Sequence, residues 1–442
     1  MILKIRLLTV FSVFCFTAAF AAQDKFEFII KTDRADGIYA KGDTVTFSVA
    51  VLKNGKPANG VEYTCQFSVN GYWKDKQGVI SGSEPLKITK KFDGSTIWYS
   101  VKAEIPGTKV KAELGAIASP YEIKTAVKEP EDFEAFWQKQ RDELAKVPVK
   151  ALEKVEVPLR PQFARYKNKV ICYDMKVACS GDKPVSGYLC MPRNAKPKSL
   201  PAIVTFQGSG VVSAGQQPEF GEKAITFSIN AHGIENGKPR QYYRELFIPN
   251  SKSKLDAYLH YGVWGKDIFY FKGIYIRGLR ALEYVKTLPE WDGKNLIVTG
   301  ASQGGALSMV MAALDKDVTF CDAGVPALCD QSAVYADRLP GGPKVVTAEK
   351  STLNTEKKWF MMVLSYYDVS FFAKRIKCEI NVSAGLLDFS CSPTSVMSAY
   401  NNIPAGVKKS IQIVPDGFHG TASHGMEKRF NEVLDAAVIS NK

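Results

Sequence analysis

The sequence predicts two units of different class: an antiparallel β-sandwich over residues 24–123, then an α/β domain with a mainly parallel sheet over 126–440. Three observations carry this reading. Short alternating strands separated by turn residues fill the first hundred positions. From about residue 200, apolar strand runs alternate with helical ones. At one strand-to-helix joint, VTGASQGGALS over 298–308, a serine stands among glycines.

The 442 residues suit about two domains, and 45% hydrophobic with 23% charged residues describes a water-soluble globular chain. The N-terminus differs. Lys4 and Arg6 precede an apolar run over 7–20, and Ala19-Phe20-Ala21 offers small residues for cleavage, so 1–21 reads as a secretory signal peptide. The mature protein is then expected in the periplasm or outside the cell. The apolar run is too short to span a bilayer, and no later stretch holds the roughly 18 uninterrupted apolar residues a span needs. Removing Lys4 and Arg6 takes the formal charge from +13 to +11. The remaining lysines are scattered rather than gathered in a stripe with aromatics, which argues against nucleic acid as a partner. Of nine cysteines, Cys15 leaves with the signal. Cys321 and Cys329 are close enough in sequence to bridge, while buried free thiols are the alternative for the rest. No CxxC or Cys/His cluster suggests a metal, and no cofactor is called for.

In the first unit, strands are expected at 26–30, 44–49 and 63–68, with turns at Asn54-Gly55 and Asn59-Gly60. It contains no histidine and no catalytic constellation. Tyr72 and Trp73 suit either a sugar-stacking surface or packing against the second unit. Near Pro120 the pattern changes. A helix opening at 129–133 carries Phe136, Trp137 and Leu144, and long strands follow at 169–177 and 185–191. Buried parallel strands are expected at 201–206, 224–229, 295–298, 379–384 and 410–414, with a helix over 273–286.

Gly300-Ala301-Ser302-Gln303-Gly304 matches G-x-S-x-G, a weak signal alone that gains force from the strand before it and the helix after it. That setting is the nucleophile elbow of an α/β-hydrolase; a helix-capping serine beside a tight turn is the bland alternative. In this fold the order is nucleophile, acid, histidine. Of His232, His260, His419 and His424, the last two follow Ser302, and His419 has the better place in a loop just past a strand. Asp388 follows the strand at 379–384 and is the favoured acid, with Asp416 and Asp368 as rivals. The backbone N–H of Gln303 is one expected oxyanion donor. The N–H of Ser209 in the Gly208-Ser209-Gly210 loop is the other, with Gly208 its rival. Losing one such donor costs about 3–4 kcal/mol of transition-state stabilisation.

Together, residues 300–305, Gly385-Leu386-Leu387-Asp388 and Phe418-His419-Gly420, with the blocks at 130–137, 270–275 and 368–373, resemble the acetyl xylan esterase / cephalosporin C deacetylase family of α/β-hydrolases over about 126–440. The resemblance implies removal of acetyl groups from O-acetylated sugars without a metal, by Ser302, Asp388 and His419, with oxyanion amides at Ser209 and Gln303. It also allows an oligomer. Three positions depart from the family pattern. Gly420 follows the histidine directly, Asn230-Ala231-His232-Gly233 replaces an arginine-glycine pair, and Ser209 stands where an aromatic is usual. The function expected is a carbohydrate acetyl esterase working on xylan or xylo-oligosaccharides. A serine hydrolase of another ester or of peptides, or a non-catalytic glycan-binding protein, are the alternatives. With an ordinary histidine as base, activity is expected to fall through about pH 6–7.

Overall fold

In a computed structural model, residues 24–246, 257–346, 353–422 and 427–440 are described. The leader at 1–21 and His424 lie outside them. Thr44–Lys53 shows what builds the N-terminal region. Its Val45, Phe47, Val49 and Val51 are buried and alternate with partly exposed residues, as a pleated strand with one inward face requires. The strand pairs antiparallel with Phe26–Thr32 and with Leu86–Lys91. A second sheet is centred on Trp98–Glu104, between Glu62–Val69 and Lys111–Ala118. Tyr63, Cys65, Tyr99 and Val101 of that sheet join Val45, Phe47 and Val49 in one hydrophobic core. The Asn54-Gly55 turn has φ of 53° and 77°, the left-handed pair a two-residue hairpin needs, and it joins Thr44–Lys53 to Lys56–Pro57 as the sequence predicts.

The second region is built on one nine-stranded sheet. Its order across the sheet is Ala151–Glu156, Val170–Val177, Val185–Pro192, Ile225–Asn230, Leu200–Phe206, Trp291–Ala301, Phe320–Gly324, Glu379–Gly385 and Lys409–Val414. The first three pair antiparallel, and Val185–Pro192 pairs antiparallel with Ile225–Asn230. From Ile225–Asn230 onward neighbours are parallel. The parallel strands expected from apolar runs are present, with the one before Ser302 extended to Trp291–Ala301. Two were not foreseen. Ala151–Glu156 is an edge strand with five of six residues exposed, so it carries no apolar pattern. Phe320–Gly324 has only five residues. The helix Phe271–Lys286 buries nearly its whole length, and Gln303–Leu314 is buried on all sides, which explains its mostly apolar residues.

The two regions meet through polar contacts to backbone. Trp98 is fully buried and donates its indole N–H to the Leu386 carbonyl at 3.0 Å, which the Ser100 hydroxyl also reaches at 3.3 Å. Gly115 N–H donates to Pro415 O at 2.9 Å, and Leu339 N–H to Asn70 O at 2.9 Å. Tyr72 donates to the Arg338 carbonyl at 3.3 Å, and Trp73 stacks on Phe389 with ring centroids 5.0 Å apart. Tyr72 and Trp73 are therefore packing residues. Cys321 and Cys329 do not bridge; all eight described cysteines are free. The pair brought together is Cys172 and Cys190, directly opposed on neighbouring strands with sulfurs 3.1 Å apart.

Gly115 is a glycine because the neighbouring loop presses on it. A Cβ there would lie 2.5 Å from Leu386 Cβ and 2.7 Å from Leu386 O. Gly115→Ala is expected to cost about 1–3 kcal/mol by overpacking, read as a lowered thermal midpoint by circular dichroism. An unchanged midpoint would show that the loop yields freely.

Candidate active site

The Trp291–Ala301 strand delivers Ser302 into a backbone conformation of φ 59° and ψ −121°, and the helix Gln303–Leu314 starts at the next residue. An L-residue avoids this region unless the surroundings impose it. The glycines around it are there for space. A Cβ at Gly300 would lie 2.6 Å from Phe206 O, one at Gly304 2.1 Å from the same oxygen, and one at Gly305 2.6 Å from Gly324 O. Ser302 N–H donates to Gly324 O at 2.9 Å, and its carbonyl accepts from Ala306 and Ala327 N–H, each at 3.0 Å. The elbow is thus bonded to the strand beside it and to the helix it opens.

His419 lies in the loop after Lys409–Val414 and is half-buried. Its Nδ1 is 2.7 Å from Oδ2 of Asp388. A carboxylate oxygen accepts, so Nδ1 carries the proton and Nε2 is left as the basic nitrogen. The hydrogen bond to Asp388 raises the His419 pKa above the ordinary histidine value, against an opposing effect of burial. Asp388 is fully buried in the turn after Glu379–Gly385, and its other oxygen accepts from Ser390 and Cys391 N–H at 2.8 Å each. Of the rival acids, Asp416 is exposed. Asp368 is buried elsewhere, where it accepts from the N–H groups of Asp330, Gln331 and Ser370. Burial, with Asp330 nearby, pushes Asp368 up to about 7.

Ser302, His419, Ser209 and Gln303 all line one cavity of about 300 Å³, with Leu328 and Pro343 on its apolar side. The Cys391 thiol lies against the Ser302 side chain. Its sulfur, a His419 nitrogen and an Asp388 oxygen lie within 4.8 Å of one another. These three groups could in principle surround a cation. The carboxylate is already committed to His419 and two amides, and burial pushes the thiol pKa up, away from the thiolate a metal binds.

The loop carrying Ser209 is anchored by residues that the sequence reading passed over. Gly210 N–H donates to the Tyr258 hydroxyl at 3.1 Å, and Tyr258 donates to Oε1 of Gln303 at 2.7 Å, tying this loop to the residue after Ser302. His232, set aside for preceding the nucleophile in the chain, holds the same loop. The Gly210 carbonyl can only accept, so His232 Nε2–H donates to it at 3.1 Å, and Nδ1 accepts from the Tyr270 hydroxyl at 2.9 Å. That is the neutral ring, and burial together with the Arg277 charge pushes its pKa down to about 4. Gly208, the alternative oxyanion donor, is under no packing constraint: a Cβ there would meet only Ala301 O at 3.7 Å.

The model of the acetyl xylan esterase (AXE1) family matches residues 117–434. The chain belongs to the acetyl xylan esterase family. This esterase is 34% identical over 411 residues to the acetyl esterase Axe7A of Xylanibacter ruminicola, covering 91% of this chain and 88% of that relative. Among solved structures it is similar to an acetyl xylan esterase from Paenibacillus sp. R4, with TM-score 0.60 and 22% identity over 72% of this chain and 98% of that one. It is likewise similar to acetyl xylan esterase 1 from Thermoanaerobacterium sp. JW/SL YS485, with TM-score 0.58 and 24% identity over 72% and 97%. At those identities the likeness shows the shared α/β-hydrolase fold. The family makes this chain a carboxylic ester hydrolase.

Gly304→Ala tests the elbow. Its methyl group would have to push apart Gly304 and the end of Leu200–Phe206. A stability loss of about 1–3 kcal/mol or more is expected, together with loss of p-nitrophenyl acetate hydrolysis. Full activity at an unchanged thermal midpoint would contradict the tight approach.

Proposed function

We propose that this esterase removes acetyl groups from acetylated xylan or xylo-oligosaccharides with Ser302 as nucleophile, His419 as general base and Asp388 as the group that orients it. The observation that carries the assignment is the 2.7 Å His419–Asp388 hydrogen bond at the cavity where Ser302 occupies a strained elbow. His419 Nε2 takes the Ser302 proton as the serine oxygen attacks the acetyl carbonyl. The N–H groups of Gln303 and Ser209 receive the negative charge that develops on the carbonyl oxygen, helped by the helix that begins at Gln303. Collapse breaks the bond to the sugar oxygen, which leaves with the proton from Nε2. Water, deprotonated by the same nitrogen, then releases acetate and restores Ser302. His419 keeps its Nδ1 proton throughout, donated to Asp388, whose charge stabilises the imidazolium.

A cavity of about 300 Å³ supports a small acyl group over the extended chain a peptidase must hold. Two β-sheets sharing one core support an immunoglobulin-like sandwich at 24–123 ahead of a catalytic domain at 126–440. Lys4, Arg6 and the apolar run behind them support export, which would bring the enzyme to its polymer. Among the described residues no helix is long and apolar enough to cross a membrane.

Acetate release from acetylated xylan, measured beside other acetylated glycans, tests the substrate. Ser302→Ala is expected to lower the rate by about four orders of magnitude or more, and equal rates for both proteins would reject the serine mechanism.

The pH dependence follows from the Asp388 contact. Only the neutral imidazole accepts a proton, and Asp388 raises the His419 pKa. The acid limb of kcat/KM is therefore expected above the ordinary histidine value of about 6.5, higher than an unpaired histidine would give. The pair's contribution to stability has the opposite sense: it is fully present below the unfolded-state pKa and is lost as pH rises through the raised folded value. Asp388→Asn should move the limb down as well as slow the reaction. A profile flat to about pH 4 would exclude His419 as the base.

A further inference from the structure

The cavity contains a cation that exchanges no proton in the deacetylation steps, although its charge opposes protonation of His419. Lys344 lines it together with Ser302 and His419, and among the described lining residues it is the one lysine or arginine. It follows the Gly341-Gly342-Pro343 turn in a left-handed backbone conformation, φ 55°. Its ammonium donates to the Phe389 carbonyl, and no carboxylate of the described residues lies within ion-pair distance of it. Cys391 and Asp388 act on it only through space, the oxygens of Asp388 being held by His419 and two backbone amides. Lys344 is about half-buried, and burial lowers its pKa from the usual lysine range. An ammonium has three protons to donate, and withdrawing it from water without an anion is costly. The bond to Phe389 fixes its place. Phe389 precedes Ser390, an exposed residue that also lines the cavity. Lys344 and Ser390 thus share the wall of the cavity that Ser302 and His419 line.

We propose that Lys344 forms an anion subsite that receives a carboxylate carried by the glycan, a uronic acid neighbouring the acetylated sugar. The inference rests on the acetyl esterase reading and adds to it a substrate class: acidic, O-acetylated oligosaccharides in preference to neutral ones of the same length. The attraction is a charge-assisted hydrogen bond in a partly desolvated place, so it should act chiefly on binding and weaken with salt. A carboxylate could also come from the product, acetate, and the two sources are separable.

Deacetylation of two matched acetylated xylo-oligosaccharides, one bearing a uronic acid beside the acetylated sugar and one neutral, would be followed for the full-length enzyme and for Lys344→Met and Lys344→Arg. The enzyme should favour the acidic substrate, and high salt should shrink that preference. In Lys344→Met the ratio of kcat/KM values, acidic over neutral, should fall about tenfold, mainly through KM, while Lys344→Arg keeps most of it. Absence of a preference in the unmodified enzyme would overturn the proposal. So would an equal loss on both substrates in Lys344→Met, which would make Lys344 a support for the Phe389 carbonyl. Inhibition by acetate that weakens in Lys344→Met while the substrate ratio stays put would assign the subsite to product, again overturning the glycan source. Failure of the unmodified enzyme to deacetylate either oligosaccharide, or p-nitrophenyl acetate, would instead strike the esterase reading itself.

Discussion

Ser302 holds a backbone conformation that costs about 1–3 kcal/mol in a free chain, and the strands around it leave the chain no other route. Its N–H is bonded to Gly324 and its carbonyl to Ala306 and Ala327. The Phe206 carbonyl presses so closely on Gly300 and Gly304 that neither position admits a side chain. One backbone oxygen thereby sets the distance between the end of Leu200–Phe206 and the helix Gln303–Leu314. The loop after Phe206, which carries Ser209, is placed by that same approach. Ser302 and both proposed oxyanion donors are thus held by backbone packing, before any side-chain interaction is counted. Tyr258 then closes the arrangement by bridging Gly210 and Gln303.

Asp388 and His419 depend on the N-terminal sheets in a comparable way. Asp388 sits between Leu386, whose carbonyl receives Trp98 and Ser100, and Phe389, on which Trp73 stacks. His419 lies four residues beyond Pro415, whose carbonyl receives Gly115. The N-terminal sheets are therefore a wall behind the two loops that carry Asp388 and His419. Trp73, ambiguous as an isolated residue, and Trp98 are used for that contact.

The parts of the site that could be read in advance share one property: their signal is local. G-x-S-x-G between an apolar strand and a helical run describes an elbow within about ten residues. The placement of Asp388 and His419 just past strands follows from where a parallel sheet puts its loops. The residues that escaped notice act across long stretches of chain. His232 and Tyr258 reach Gly210 from 22 and 48 residues away. No pattern around either position announces a partner so distant. Arguing from chain order removed His232 from the catalytic roles, which agrees with its neutral, buried state, but that argument says nothing about a histidine that holds a loop. Lys344 looks like any surface lysine until the fold brings Phe389 over it. The edge strand Ala151–Glu156 was invisible for the opposite reason: mostly exposed, it has no apolar face to betray it, and only its register with Val170–Val177 makes it a strand.

By itself the sequence determined the α/β class of the second region and its longer apolar strands, and it singled out a serine with its expected partners, because hydrophobic period and turn chemistry are properties of neighbouring residues. Tertiary structure alone decided which carboxylate meets His419. Chain position favours Asp388 without excluding Asp416 or Asp368; in the folded protein Asp388 is buried facing the imidazole, Asp416 is exposed, and Asp368 is spent on backbone amides elsewhere. It also decided that Cys321 and Cys329 stay apart and that a buried histidine remains neutral. Those outcomes turn on distance and desolvation, which exist only once the chain has packed.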